Sequence, residues 1–163
     1  MEIQAIKKAL FLSLVVAGIF FGIAAPVLAL EASHPFTVED LVSFQRVGAP
    51  IPSPDGSWIV FPLRSTDLAA NKGLTNLWVI RPDGTDLRQL TSQPGSDADP
   101  CWSPDGSTVY YLSTRSGSSQ VWKISREGGD CGQVTDLPLD LSALKISSDG
   151  KSLAFTMEVF PGT

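Results

Sequence analysis

The sequence predicts an all-β fold, a partial β-propeller of about two and a half four-stranded antiparallel blades, and a repeated hairpin carries this prediction. Residues 101–112 form an apolar segment, a Pro-Asp-Gly turn and an alternating apolar segment, and similar stretches occur at 52–61 and 146–155. Ser103 and Ser147, which open the second and third turns, lie 44 positions apart. A period of about 40–45 residues with four strands in each repeat is typical of propeller blades.

A second set of motifs keeps the same period. Two short segments recur 44 residues later: 77–80 at 121–124, and 89–91 at 133–135. The interval between the first two turns is 50 residues, and the six extra residues fall between Phe61 and Trp78. We therefore predict a loop insertion at 67–72 in the first blade.

The amino terminus differs in composition from the repeats. Lys7 and Lys8 precede an uncharged apolar run at 9–25, and small residues lead to a cleavage point after Ala29. This pattern predicts a secretory signal peptide at 1–29, with an uncleaved membrane anchor as the alternative. Cleavage is favoured because 17 residues is the lower limit for a membrane-spanning helix. We expect an exported protein, periplasmic or extracellular, that is not in the membrane after cleavage.

The charge of the chain argues against one class of partner. The 163 residues carry a formal net charge of −5, and the part after Ala29 holds 10 basic and 16 acidic residues. Beyond the signal peptide the basic residues form no cluster. Nucleic-acid binding needs a basic surface, so we expect no nucleic-acid partner.

A linker and a short helix are predicted at 30–47, before the first blade. Thr37 can cap the helix with Asp40 at its third position, and acidic residues suit a helix amino terminus. We expect Val38, Leu41 and Val42 to pack onto the propeller.

The propeller itself is predicted to be incomplete. Its parts, within residues 48–163, are blade one at 48–91, with strands at 49–52, 58–63, 76–81 and 87–90, blade two at 97–135, and the first half of blade three at 141–157. Propeller rings close with about four to eight blades, each packing on its neighbours. We therefore expect this chain to be the amino-terminal piece of a longer protein.

No catalytic, cofactor-binding or metal-binding residues are predicted. The single histidine, His34, lies outside the repeats, whereas a Ser-His-Asp triad needs a histidine that the fold holds beside its serine. The sequence also lacks a Gly-x-Ser-x-Gly elbow, a phosphate-binding glycine loop and a His-Glu-x-x-His motif.

The aspartates of the repeated turns allow two interpretations. Asp55, Asp105 and Asp149, with Asp97 and Asp99 nearby, offer oxygen ligands for calcium. Calcium needs six to eight oxygens from closely spaced positions, and no known calcium-loop spacing occurs. We therefore favour a structural role in the turns.

The four tryptophans also allow two interpretations, an aromatic binding platform or core packing between blades. Trp58, Trp78, Trp102 and Trp122 recur at equivalent strand positions, and large rings fill the space between sheets well. We predict core packing, above all for Trp78 and Trp122.

The cysteines and one glutamate leave questions open. Export permits Cys101 and Cys131 to pair, but they lie on opposite edges of the predicted second blade, and a disulfide needs α-carbons within about 7 Å. The geometry therefore disfavours a disulfide. Glu158 follows the third hairpin and is either a ligand for a substrate's amino group or, as we favour, a solvated loop residue.

Several segments together resemble secreted bacterial serine peptidases of the prolyl oligopeptidase family, in the acylaminoacyl-peptidase or dipeptidyl-peptidase branch. These segments are 36–41, 46–47, 53–56, 76–79, 97–106 and 153–160. The resemblance implies a propeller that screens short peptides for a carboxy-terminal α/β-hydrolase domain, which holds the catalytic serine, aspartate and histidine. No residue of this chain takes a catalytic role by that resemblance.

Two other functions stay open from the sequence. The Ser-Pro-Asp-Gly turns also resemble those of the Tol-Pal translocation protein, which implies a non-enzymatic docking module in the cell envelope. A sugar-binding propeller is a third reading of the same architecture. The sequence does not indicate an oligomeric state.

Overall fold

The computed structural model describes residues 35–159. The predicted signal peptide and His34 lie outside the described residues. The chain divides after Pro35, and every element below belongs to the second unit, 36–163. Among the described residues, no helix is both long and apolar enough to cross a membrane.

Within residues 35–159, one short helix precedes eleven strands. The elements are α1 (Val38–Ser43), β1 (Arg46–Val47), β2 (Ile51–Pro52), β3 (Ile59–Asp67), β4 (Lys72–Ile80), β5 (Arg88–Gln89), β6 (Asp97–Trp102), β7 (Thr108–Ser113), β8 (Gln120–Ser125), β9 (Gly132–Gln133), β10 (Leu141–Ile146) and β11 (Leu153–Met157). All pairs of neighbouring strands are antiparallel.

The strands form three sheets in chain order. Sheet one has the order β1-β3-β4-β5, with β2 also paired to β3, sheet two has the order β6-β7-β8-β9, and sheet three is the pair β10-β11. Two sheets that each follow the four-stranded plan of a blade, followed by one hairpin, match the predicted partial propeller. The all-β fold class is confirmed.

The predicted loop insertion at 67–72 is a longer hairpin instead. β3 and β4 pair without interruption from Ile59 opposite Ile80 to Asp67 opposite Lys72, whereas the equivalent strands of sheet two stop at Ser113 opposite Gln120. The extra residues therefore add paired residues to both strands. The connecting loop is only residues 68–71. The predicted end of the second strand at 63 and the predicted start of the third strand at 76 were therefore wrong.

The first strand of each sheet is irregular at an equivalent repeat position. β6 has a bulge between Ala98 and Cys101, and β10 has one between Ser142 and Lys145. Residues with positive φ lie inside both bulges, and in sheet one the break between β1 and β2 takes the same place. A bulge bends its strand and increases the local twist.

Two apolar cores lie between the sheets. The first core, between sheets one and two, contains Trp58, Val60, Leu77, Val79, Leu90, Trp102, Val109, Tyr111 and Ile124. The second core, between sheets two and three, contains Leu112, Val121, Leu141 and Leu144. Sheet two thus buries both faces, because side chains alternate between the two faces of a strand.

The lead-in helix is capped as predicted but is not buried. Asp40 N donates to Thr37 Oγ1 at 3.2 Å, and Thr37 N donates to Asp40 Oδ2 at 2.8 Å, which completes a capping box. Val38 and Leu41 are 71% and 52% exposed. The prediction that the apolar residues of this helix pack onto the propeller was therefore wrong for Val38 and Leu41, which face solvent, whereas Val42 is half-buried.

Candidate functional site

The sheets present two ends, which we call the turn end and the loop end. The turn end holds the Asp-Gly turns that follow β2, β6 and β10, and also the β4–β5 and β8–β9 connections. The loop end holds the β3–β4 and β7–β8 loops and the links from one sheet to the next. This assignment follows because consecutive strands run in opposite directions.

At the turn end, each turn aspartate binds the backbone and side chains of its own turn. In sheet two, Ser103 Oγ donates to Asp105 Oδ1 at 2.5 Å and Ser107 N donates to the same oxygen at 3.1 Å. Thr108 N in turn donates to Ser103 Oγ at 2.9 Å. Asp55 and Asp149 make the same contacts in their turns. The predicted structural role of these aspartates is confirmed.

These hydrogen bonds favour the charged form of the carboxylates. The Ser103 side chain and the Ser107 amide lower the pKa of Asp105 to about 2. The pKa values of Asp55 and Asp149 are lowered too, first by their own turn serines, Ser53 and Ser147.

Successive turns lie side by side. A Cβ on Gly150 would meet the Cδ of Pro104 at 3.1 Å, and one on Gly106 would meet the Cδ of Pro54 at 3.7 Å. Both glycines also have positive φ, 70° and 67°. Each glycine thus ends its own turn in the left-handed conformation and leaves room for the proline of the preceding sheet.

The tryptophans lie in two environments. Trp58 and Trp102 are buried in the first core, and Trp102 Nε1 donates to Ile51 O at 2.9 Å. Core packing was predicted for Trp78 and Trp122. It is confirmed for Trp122, which packs at the margin of the first core. Trp78 is half-buried on the opposite face of β4, because its neighbours Leu77 and Val79 point into the first core.

The two cysteines are separate free thiols. Cys101 packs against the second core and Cys131 against the first, so they lie on opposite faces of sheet two. Burial raises the pKa of Cys101 to about 11. The geometric argument against a disulfide is confirmed.

Asp97, which the sequence offered as a calcium ligand, pairs with an arginine at the loop end. Arg115 Nη2 lies 3.1 Å from Asp97 Oδ1, and the side chains are 9% and 0% exposed. The guanidinium also donates to Ser113 Oγ and Tyr111 OH and lies 4.7 Å from the Trp122 ring. Within 35–159, no group of three or more His, Cys, Asp or Glu side chains is arranged to hold a metal ion.

A buried glutamine fixes the link between sheets two and three. Gln120 Nε2 donates to the carbonyls of Leu137 and Leu139 at 3.0 and 3.1 Å. Its Oε1 accepts from Leu137 N and Thr135 Oγ1, both at 2.9 Å. Sequence reasoning missed both Gln120 and Arg115, because Leu137 lies 17 positions from Gln120, Asp97 lies 18 positions from Arg115, and no local pattern marks either pair.

The link leads to an acidic pocket at the loop end. Asp140 Oδ1 accepts from Ser119 N at 2.6 Å, and Leu141 pairs with Met157. The next step of that register sets Asp140 opposite Glu158. An open pocket of about 310 Å³ contains both carboxylates, and its lining is Leu139, Asp140, Leu141, Ser142 and Glu158.

The pocket is chemically suited to binding a cation. Both carboxylates are exposed, and like charges opposite each other across a strand pair repel. An ammonium or guanidinium group between them removes that repulsion and gains charge-assisted hydrogen bonds. Glu158 is thus exposed, as favoured from the sequence, and shares a pocket with a second carboxylate that the sequence did not indicate.

Comparison with known proteins identifies relatives of two kinds. A family model described as the TolB beta propeller domain matches residues 21–159. Dipeptidyl-peptidase 5 of Porphyromonas endodontalis is 30% identical over 134 residues, which cover 82% of this chain and 19% of that protein. The Tol-Pal system protein TolB of Bordetella pertussis is 33% identical over 58 residues, covering 35% of this chain and 13% of that protein.

The fold has solved counterparts. The AtxE2 isopeptidase, solved with Astexin3-dC4 bound, matches with a TM-score of 0.61 and 23% identity, covering 72% of this chain and 22% of that one. This likeness supports the fold. The chain spans about a fifth of the length of the peptidases it matches, and its resemblance to peptidase propellers is confirmed.

Proposed function

Since this chain belongs to the TolB beta propeller domain family, we propose that its partial propeller serves an exported serine peptidase that hydrolyses short peptides. In this proposal the propeller controls which peptides reach an α/β-hydrolase domain that follows it in the protein. The single observation that carries the proposal is the extent of the match to dipeptidyl-peptidase 5, which covers 82% of the chain. The match to TolB covers 35%.

The acidic pocket supports a role in peptide binding. Asp140 and Glu158 lie at the loop end of the sheets, where the end of the link into β10 and the segment after β11 leave a space of about 310 Å³. The α-ammonium group of a short peptide is a cation of suitable size for a carboxylate pair. We assign the pocket to that group, with Asp140 held in place by Ser119 and with Glu158 exposed beside it.

The propeller architecture supports the proposed selection of peptides by size. Propeller blades surround a narrow central channel, and bulges in the first strands of sheets two and three bend those strands. Extended or short peptides pass such a channel more easily than folded proteins.

The reading frame beyond Thr163 tests the peptidase directly. We expect a Gly-x-Ser-x-Gly elbow within a few hundred residues, followed by an aspartate and then a histidine. A stop codon after a closed ring of blades, with no elbow, would contradict the proposal.

An activity assay on the protein expressed from the whole reading frame tests the pocket. We expect hydrolysis of dipeptide naphthylamides, and Glu158→Gln to raise KM about tenfold, the equivalent of about 1.4 kcal/mol of binding. Glu39→Gln, on the exposed helix α1, is the matched control and is expected to leave KM unchanged. If both variants changed KM equally, Glu158 would have no role in peptide binding.

A docking module of the cell envelope is the second candidate, and the match to TolB favours it. In that case the protein captures another envelope protein and releases no product from any peptide substrate. Failure of every peptide assay, together with a closed ring and no hydrolase domain, would select this function.

A further inference from the structure

Three arginines converge on one buried tryptophan at the turn end. The guanidinium carbons of Arg81, Arg88 and Arg126 lie 4.4, 5.2 and 5.8 Å from the centroid of the Trp58 ring. Trp58 is 6% exposed. A guanidinium over an indole face is attracted to the ring, so Trp58 is a fixed floor beneath three positive charges. We call this set of four residues the arginine cluster.

The arginine cluster joins two sheets. Arg81 follows β4 and Arg88 begins β5, both in sheet one, while Arg126 follows β8 in sheet two. Arg88 Nη2 donates to Arg126 O at 2.7 Å, and Arg126 N donates to Ser107 O at 2.8 Å. Backbone contacts therefore hold the Arg88 guanidinium against sheet two and fix the backbone of Arg126.

Exposed carboxylates occupy only part of the cluster. Arg81 Nε contacts Asp86 at 2.5 Å, and Glu127 lies 3.4 Å from Arg88 and 3.0 Å from Arg126. The Asp86 and Glu127 side chains are 55% and 68% exposed, so each can turn into solvent.

The arginines keep hydrogen-bond donors for a ligand. Asp83 is close enough to Arg81 to feel its charge, but it binds Thr85 through Oδ1. In the described residues Arg81 donates through Nε and Arg88 through Nη2, while each guanidinium carries five N–H donors.

An open pocket lies beside these donors. Its volume is about 440 Å³, and its lining is Trp58, Arg81, Asp86, Leu87, Arg88 and Glu127. Leu87 is 57% exposed and supplies an apolar wall. The pocket thus combines guanidinium donors, an aromatic floor and an aliphatic side, within the size range of small-ligand sites.

We propose that this pocket binds the carboxy-terminal carboxylate of a peptide whose last side chain is apolar. The carboxylate takes the place of Glu127 against Arg88 and bonds to Arg81, since guanidinium groups bind carboxylates through paired N–H donors. The terminal side chain packs on Leu87. This inference does not depend on the proposed peptidase function, because it concerns the opposite end of the sheets from the acidic pocket.

Titration of the full-length protein with two probes tests the site. N-acetyl-Leu-Leu has a free carboxylate and no ammonium group, and N-acetyl-Leu-Leu-amide has neither charge. We expect the acid to bind at least about tenfold more tightly than the amide by calorimetry, a difference of about 1.4 kcal/mol. Equal affinities would overturn the proposal.

Three variants separate binding from folding. Arg81→Gln is expected to lower the affinity for N-acetyl-Leu-Leu about tenfold. Arg46→Gln, a substitution of an exposed arginine in β1, is the matched control. Glu127→Gln removes the competing carboxylate and is expected to raise the affinity for N-acetyl-Leu-Leu several-fold. If Glu127 has only a structural role, Glu127→Gln does not raise the affinity, and that result would contradict the site. Equal effects of Arg81→Gln and Arg46→Gln on the affinity would contradict it too. If inorganic phosphate binds in an Arg81-dependent way and the peptide acid does not bind, the ligand of this pocket is a phosphate and the proposal is wrong.

Discussion

At the scale of single residues, each Asp-Gly turn depends on one carboxylate that accepts hydrogen bonds from its own turn. Ser103 Oγ and Ser107 N both bind Asp105 Oδ1. These donors prefer the ionised carboxylate, which is why the pKa of Asp105 is lowered to about 2. A local bond of this kind links the acidity of one side chain to the stability of the hairpin.

The turn aspartates predict a stability loss in acid. The folded-state pKa of Asp105 lies below the value of about 3.9 for an unfolded aspartate, so its contribution is complete above about pH 4 and is lost as the pH falls toward 2. We expect Asp105→Asn to be less stable than the wild type at neutral pH and to lose less stability over that interval, as measured by urea unfolding.

The control for that prediction is an aspartate outside the turns. Asp136 is exposed in the link between sheets two and three, and Asp136→Asn is expected to follow the wild-type pH dependence. If Asp105→Asn and Asp136→Asn gave the same acid profile, the turn carboxylate would have no part in acid stability.

At the scale of elements, short-range signals were enough to predict the turns and the cap. Aspartate and glycine at fixed offsets set each turn, with proline before them in the first two turns, and Thr37 with Asp40 set the start of the helix. Both kinds of signal act within three or four residues, as the observed contacts do. The turn and the capping box were therefore available from the sequence.

Strand length and facing direction depend on distant partners, and here prediction failed. The extension of β3 and β4 to Asp67 and Lys72 has no turn motif to mark it. The choice of buried tryptophans required knowing which face of each strand meets the next sheet. Recurrence at equivalent strand positions and ring size favoured Trp78, which lies on the face away from the first core.

The acidic pocket was predicted only in part for the same reason. Glu158 stood out because it follows a strand, whereas Asp140 meets it through pairing of β10 with β11. The arginine cluster was not predicted, because its members come from two sheets and face Trp58 only after the sheets pack.

The link between sheets two and three yields a prediction at this scale. Gln120 is buried and holds the link through Leu137 and Leu139, so Gln120→Leu leaves those backbone groups without partners. We expect hydrogen exchange of the Leu137 amide to accelerate at least about tenfold, since an unsatisfied buried group costs about 1–3 kcal/mol.

Gln133→Leu provides the matched control for Gln120→Leu. Gln133 is exposed in β9 and donates to Thr135 O, so the exchange of Leu137 is expected to change little in this variant. Exchange that is equally fast in both variants would show that Gln120 does not anchor the link.

At the scale of the whole molecule, stability and function both depend on how sheets stack. The first core joins sheets one and two, the second core joins sheets two and three, and the turn prolines lie against the next glycines. Both proposed sites exist only where neighbouring sheets meet: the arginine cluster spans sheets one and two, and the acidic pocket lies where the link from sheet two enters sheet three.

The hydrogen bond between the Trp102 indole and Ile51 is the most direct test of this stacking. Trp102 belongs to sheet two and Ile51 to sheet one, and Nε1 lies 2.9 Å from the carbonyl oxygen. In NMR spectra of the protein, with the indole signal assigned through Trp102→Phe, we expect a nuclear Overhauser effect from the Trp102 indole proton to Ile51 and slow exchange of that proton with solvent. A rapidly exchanging indole proton with no contact to sheet one would contradict the stacking of the sheets as neighbouring blades.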